Sequence, residues 1–322
     1  MQIKIYFILL LGFTILSCDE DSKVETEIAK VEVDFTIERF DKAFYEATPK
    51  YLPKLKRAYP FFFSKHEPDS IVVERMNDTL QNEILREVDM AFKDIQNTKQ
   101  ELVSLFQYLK YYDKVFSTPR VITLINNVQY RDNVIVTDSI VLVALDNYLG
   151  ENHRFYVDGN IPVYLAKNFK KEQIVVDLAD AYAKKYAFQS KRKALLEEMI
   201  YFGKLLYFKD VVIPFKTDAE KMGYTESEIK WAEANESQIW SYLIEKELLY
   251  STDPKLPNRF IADAPFTKFY LELDNESPGR LGQYIGWQIV KAYAENSGDD
   301  LMKIMQTEPE EIFRKSKFKP KK

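Results

Sequence analysis

The chain has 322 residues, 30% of them charged and 14% aromatic, with a formal net charge of −5. That acidic balance argues against a nucleic-acid binder. After the first 17 residues no apolar stretch approaches the length of a membrane span, and the length suits one large domain or two lobes.

Lys4 is followed by the apolar run Ile5 to Leu16, then Ser17 and Cys18, the only cysteine. A positive start, a short apolar core and a small residue before the cut read as a secretory signal over 1–17. Ile15-Leu16-Ser17-Cys18 resembles a bacterial lipobox, in which the Cys18 thiol takes a diacylglycerol. The alternative is an ordinary signal with an incidental cysteine, but a lone thiol is a poor fit to a secreted chain. Each buried methylene of the acyl chains contributes about 0.8 kcal/mol, so two or three chains give a stable anchor. Without Lys4 the remaining charge moves from −5 to −6. Residues 18–30, rich in Asp and Glu and without periodicity, read as a flexible acidic tether.

Apolar residues occupy the odd positions of Val31 to Glu38, which predicts a strand with one buried face. Helical spacing follows over 40–56 and 71–112, with the aromatic run Tyr59 to Phe63 between them as a core plug. The β-branched runs 121–125, 134–136 and 140–145 predict a small, mostly antiparallel sheet. From Gly150 onward the period is helical: 161–168, 170–187, 189–208, 225–249, 279–296 and 298–315. The expected fold is therefore α+β and helix-rich, with a sheet in the N-terminal half and a helical C-terminal half. The domain layout is a signal over 1–17, a tether over 18–30 and one domain over 31–322, divisible into lobes 31–160 and 161–322.

Neither histidine, His66 nor His153, belongs to a metal-ligand spacing, and each lies beside turn residues. There is no G-x-S-x-G and no phosphate loop, so no catalytic residue, metal or other cofactor is assigned. Gly279, Gly282 and Gly286 fall on one helical face, which points to close helix packing, or else to a ligand at the helix N-terminus. Ser277 is the expected cap of that helix, with Pro278 in its first turn. The clusters 231–240 and 259–270 mix large aromatics with charges. In the first, Glu236 is either a buried partner of Arg259 or Arg280, or a general acid or base. The candidate functional surface is Glu236, Trp240, Arg259, Asp263, Lys268, Asp274, Gly279 and Arg280. The basic run 314–322 reads as a solvated tail, or as a contact for an acidic partner or lipid surface.

Through Cys18, Ile37 to Asp41, Leu145 to Gly150, Met199 to Tyr207, Asn235-Glu236 with Trp240, Ala264 to Tyr270 and Glu276 to Arg280, the sequence resembles the GldB family of gliding motility lipoproteins of Bacteroidota. The resemblance implies an envelope lipoprotein, held to the membrane by the lipid on Cys18, whose partners are other proteins of a gliding machinery linked to type IX secretion. It supplies no catalytic residues. A more distant likeness to predicted zinc peptidases implies a degenerate zincin-like scaffold. There Asp177 and Ala181 stand for the two metal histidines, Leu178 for the catalytic glutamate, and Phe202-Gly203 for a Glu-Gly pair, while Pro278 to Trp287 keeps the last segment.

Three roles follow. The leading one is a non-enzymatic structural or assembly component. A hydrolase would use Glu198, Glu236 and Asp274 converging in one cleft, and a binding module would present Trp231, Trp240 and Trp287 on one surface.

Overall fold

The computed structural model describes residues 17–271 and 274–321, with residues 17–22 described as backbone only. The expected signal therefore lies outside the described residues apart from Ser17, as does the side chain of Cys18.

The segment expected as a tether is a helix, α1, Ser17–Ile28. Val24 and Ile28, four apart, give it one apolar strip, and Ile28 is buried. The exit from α1 is held by Gln107, which donates to the Val31 carbonyl at 3.0 Å, and Lys110, which donates to that of Glu32 at 3.0 Å. The many acidic residues masked a pattern of only two apolar positions.

The alternation from Val31 is real, since Phe35 is buried edge-on against Phe106 at 5.3 Å. Pairing begins only at β1, Ile37–Arg39. Short helices at Phe40–Tyr45, Leu52–Ala58 and Asp69–Met76 follow, separated where Pro49, Pro60 and Pro68 interrupt the backbone ladder. Phe62 stacks on Phe40 at 4.2 Å, so the aromatic run closes a cluster with Phe44, Val72, Met76 and Ile122. Two longer helices, α2 (Thr79–Ala91) and α3 (Gln96–Tyr112), carry Ile84, Val88, Leu102, Leu105 and Phe106 into the main core.

The sheet adds β2 (Arg120–Leu124), β3 (Val134–Val136) and β4 (Ile140–Ala144) in the order β1-β2-β4-β3. Here the expectation of a mostly antiparallel sheet is corrected. β1 and β4 both run parallel to β2, and only β3 pairs antiparallel, with β4. The reason is burial. β4 is apolar along its whole length and takes a central place covered on both faces, whereas β3, with Ile135 at 46% exposure, is left at the edge. Val121, Val141 and Val143 face the α2–α3 core and Ile122 faces the aromatic cluster, as the two-residue period requires.

Beyond residue 150 the chain is helical, and α4 (Ile174–Tyr186) lies against β3. The central element is α5, Leu195–Val212, packed on α4 and on a later long helix. Next come α6 (Glu226–Ala234) and α7 (Glu236–Glu245), one stretch by periodicity but broken at Asn235, whose side-chain amide donates to the Trp231 carbonyl at 2.8 Å. The chain ends with α8 (Leu281–Ser297), α9 (Leu301–Gln306) and α10 (Pro309–Ser316).

The helix expected from Ser277 and Pro278 starts instead at Leu281, because Arg280 is left-handed with φ 60°. The cap comes from elsewhere: Leu281 N–H donates to Thr267 Oγ1 at 3.2 Å.

Close packing is the explanation of the glycine face. A Cβ on Gly286 would stand 1.8 Å from the Met199 carbonyl oxygen, and one on Gly203 would stand 2.3 Å from the Gly286 backbone. Helices α5 and α8 thus cross in main-chain contact. Since the obstructing atoms are backbone, Gly286→Ala should cost about 3 kcal/mol or more, at the upper end for overpacking. Gly203→Ala strikes the same contact, so in urea unfolding the double variant should lose clearly less than the sum of the two singles.

Candidate functional site

An apolar cleft of about 180 Å³ lies between α6–α7 and residues of the segments 266–271 and 274–278, lined by Trp231, Asn235, Gln238, Ile239, Tyr242, Phe269, Leu271, Asp274 and Ser277. Its geometry rests on Tyr242, whose hydroxyl donates to the Phe269 carbonyl at 2.7 Å and accepts from Arg259 Nη2 at 3.2 Å. Arg259 Nε donates to the Lys268 carbonyl at 2.9 Å, and its guanidinium lies 4.3 Å from the Tyr270 ring centroid. Arg259 therefore clamps the loop through a main-chain hydrogen bond and a cation–π contact. Asp274 accepts from Tyr270 N–H at 2.8 Å and Leu271 N–H at 3.2 Å, closing a turn in which Tyr270 has φ 65°. At the lip of the cleft Leu271 is 61% exposed, and its neighbour Tyr270, outside the lining, is 72% exposed.

The eight residues expected to share one surface fall into three places. Arg259, Lys268 and Asp274 meet at the cleft, Lys268 through its carbonyl. Asp263, Gly279 and Arg280 form a second group. Arg280 Nε lies 3.4 Å from Asp263, its Nη2 donates to the Gly223 carbonyl at 3.2 Å, and the Gly279 carbonyl accepts from the Tyr224 hydroxyl. Glu236 and Trp240 form the third, beneath residues 317–321. There Glu236, 1% exposed, accepts from the Tyr284 hydroxyl at 3.0 Å and from Lys321 N–H at 2.8 Å. Its expected ion pair with Arg259 or Arg280 is not formed, since both guanidiniums are engaged elsewhere. The basic tail keeps the charged side chains of residues 314–321 exposed, while Phe318 and the Lys321 N–H are seated against the fold. Nor do the tryptophans make one surface: Trp287 is wholly buried, Trp231 lines the cleft, and Trp240 packs on Phe313 and Phe318.

At the positions matched to a metal helix, Asp177 on α4 accepts from the Tyr148 hydroxyl at 2.7 Å and from Asn133 Nδ2 at 2.6 Å. Asp180, one turn on, pairs with Lys209 of α5 at 2.9 Å and Lys184 at 2.8 Å. Burial pushes the Asp177 carboxyl up to about 6. Burial acts on Asp180 in the same sense, but the two lysines outweigh it and hold that carboxyl far below the usual range. Among the described residues no group of three or more His, Cys, Asp or Glu side chains is placed to hold a metal ion. His66 lies exposed in a loop, and His153 caps a short helix with Nε2 3.4 Å from Glu87.

One buried group escaped the sequence reading. Lys204 is fully buried, and its ammonium donates to the carbonyls of Phe188, Met305 and Thr307 at 3.3, 3.1 and 2.6 Å. A lysine inside the apolar stretch Met199 to Phe208 was the available signal. Burial lowers it to about 8.

The molecule is thus an α+β, helix-rich fold whose candidate site is an aromatic cleft; among the described residues, no helix is long and apolar enough to cross a membrane. The family model for gliding motility protein GldB matches residues 21–320, and the chain belongs to that family. Membership implies a gliding motility lipoprotein of the cell envelope. No curated protein and no solved structure matches the chain.

The position of Asp177 predicts a pH effect. With its folded value near 6 and the ordinary one at 3.8, the unfolded state ionises first as pH rises. Stability should therefore fall between about pH 4 and 6, by roughly 2 kcal/mol from this group. Asp177→Asn keeps an oxygen for Tyr148 and removes the titration. Urea midpoints at both pH values should show the wild type losing more than the variant over that interval.

Proposed function

We propose that the chain is a lipid-anchored, non-catalytic assembly component of the gliding machinery, linked to type IX secretion, and that it holds a partner protein at the cleft rimmed by Tyr270 and Leu271. The observation that carries this reading is the match of one gliding motility family model to 21–320, nearly the whole fold. The lone Cys18 after Ile15-Leu16-Ser17 supports the anchor. A holding role is supported by the state of two of the three carboxylates that a hydrolase would use. Glu236 is engaged by Tyr284 and the Lys321 backbone, and Asp274 by two main-chain N–H groups of its own turn. The rim, by contrast, offers two large apolar side chains on a loop braced by Arg259, an arrangement suited to anchoring a partner with little ordering on binding.

Two measurements test this. Cys18→Ser should move the protein from the membrane to the soluble fraction of cells, because the acyl anchor is lost; a variant that stays in the membrane fraction refutes the anchor. Leu271→Asp should leave the thermal midpoint within a few degrees of wild type, because the side chain is 61% exposed. The same substitution should abolish rescue of gliding in a strain lacking the protein, and full rescue by a folded Leu271→Asp variant would refute the cleft as the docking site.

A further inference from the structure

A second surface carries an inference independent of the cleft. Helix α10 stops at Ser316, where Lys317 turns left-handed with φ 49°, and Pro320 prevents a new helix. Between these the chain alternates. Phe318 and Pro320 are half-buried, while Lys317, Lys319 and Lys321 are exposed. That is the pattern of an extended peptide lying on a surface, with alternate side chains inward.

Its contacts are those of a ligand. The Phe318 ring stands edge-on to Trp240 at 5.2 Å with an 86° interplanar angle, and Trp240 in turn lies 6.0 Å from Phe313. Three residues on, the main-chain N–H of Lys321 donates to Glu236 Oε1 at 2.8 Å, and Tyr284 donates to Oε2 at 3.0 Å. Glu236 is 1% exposed, yet no cation lies within ion-pair distance of it among the described residues. A buried carboxylate depends on its donors, and of the two here one belongs to α8 and the other to the peptide. The peptide laid across it aims an N–H at one oxygen, within a strand of lysines.

The surroundings extend the complementarity. Phe313 also lines a neighbouring cleft of about 420 Å³, together with Leu196, Tyr250, Glu308, Glu310, Glu311 and Arg314. Phe313 thus joins Trp240 to a cleft whose lining carries three glutamates and one arginine, with Glu310 paired to Arg192 and Glu311 to Lys315.

We propose that the Trp240–Glu236 groove is a peptide-binding site that the chain's own 317–321 segment fills, and that a partner protein's extended basic segment displaces it, with an aromatic residue on Trp240 and a main-chain N–H on Glu236. The occupying segment is held by the Phe318 ring, packed on Trp240 and the edge of the C-terminal core, and by the Lys321 N–H on Glu236, while its lysines stay in solvent, so it exchanges without unfolding the helices beneath. A partner segment running on into the acidic cleft gains contacts that residues 317–321 do not make.

The test uses the full chain carrying Lys321→Pro, which removes the N–H that Glu236 accepts, and a second form ending at Ser316. The probe is a fluorescent peptide with the sequence of residues 316–322. Expected are saturable binding to both altered forms, at least tenfold tighter than to the wild-type chain. Adding Trp240→Ala to either form, or Phe318→Ala to the peptide, should weaken binding at least tenfold. Replacing the peptide lysines with glutamine should also weaken it and flatten its salt dependence. Absence of saturable binding to the folded variants, or binding indifferent to Trp240 and Phe318, overturns the proposal. Unfolding of both altered forms also overturns it, because the segment is then part of the core. A concentration-dependent dimer of the full chain that is lost in the shortened form reassigns the groove to a second copy and overturns the partner assignment.

Discussion

The main-chain contact between α5 and α8 sets the positions of almost everything in the C-terminal half. With Gly203 against Gly286 and Gly286 against the Met199 carbonyl, the two helices sit closer than any side chain allows, and their register is fixed to within one residue. On α8 the residues flanking Gly286 are Tyr284 and Trp287. Both are buried, and their polar atoms are directed by that register, the Tyr284 hydroxyl to Glu236 and the Trp287 indole N–H to Asp210 of α5 at 2.6 Å. On α5 the residue after Gly203 is Lys204, whose ammonium gathers three carbonyls from the 188 loop and the end of α9. One glycine contact thus positions both the Trp240 groove and the clamp that joins α9 to the body of the fold.

A second theme is how buried charge is used. Asp146, wholly buried, accepts from the N–H groups of Asn126 and Val128, whose loop includes two left-handed residues in a row, Asn127 and Val128. A β-branched residue with positive φ is strained, and the carboxylate holds it there. Asp177 and Asp180 stitch α4 to the sheet and to α5. These groups look like chemistry in a list of residues, but each is saturated by partners that the fold brings to it. The exposed side chains of Tyr270 and Leu271 are of another kind, large and without a carboxylate or lysine among them.

How much of this was legible depends on whether the signal was local. The alternation from Val31 to Ile37, the helical faces of α2, α3 and α8, and the glycine spacing were all readable, because they record which side of an element is buried. The two-residue strip of α1 was too small to stand out among acidic neighbours. The start of α8 was misplaced because its cap, Thr267, lies 14 residues before Leu281 and reaches it only after the loop folds back. Five of the eight candidate residues came from the two aromatic and charged clusters, and Asp274, Gly279 and Arg280 from the segment that follows. Their division into three places was invisible, since Arg259 meets Tyr242, Asp263 meets Arg280 and Glu236 meets Lys321 only once the chain has folded.

From the sequence alone came the helix-rich α+β class, the sole cysteine behind an apolar run, the close-packed glycines and the family. These follow from composition, periodicity and motif, which are properties of neighbouring residues. Only the tertiary structure decided that the sheet is mixed, that Glu236 is bound by a phenol and a main-chain N–H instead of an arginine, and that Phe318 of the basic tail is seated on Trp240. Each is a pairing between residues far apart in the chain. Periodicity says that a face is covered, but the identity of what covers it is set by the packing of the whole, in which the most apolar strand takes the centre of the sheet and the two glycines take the closest crossing.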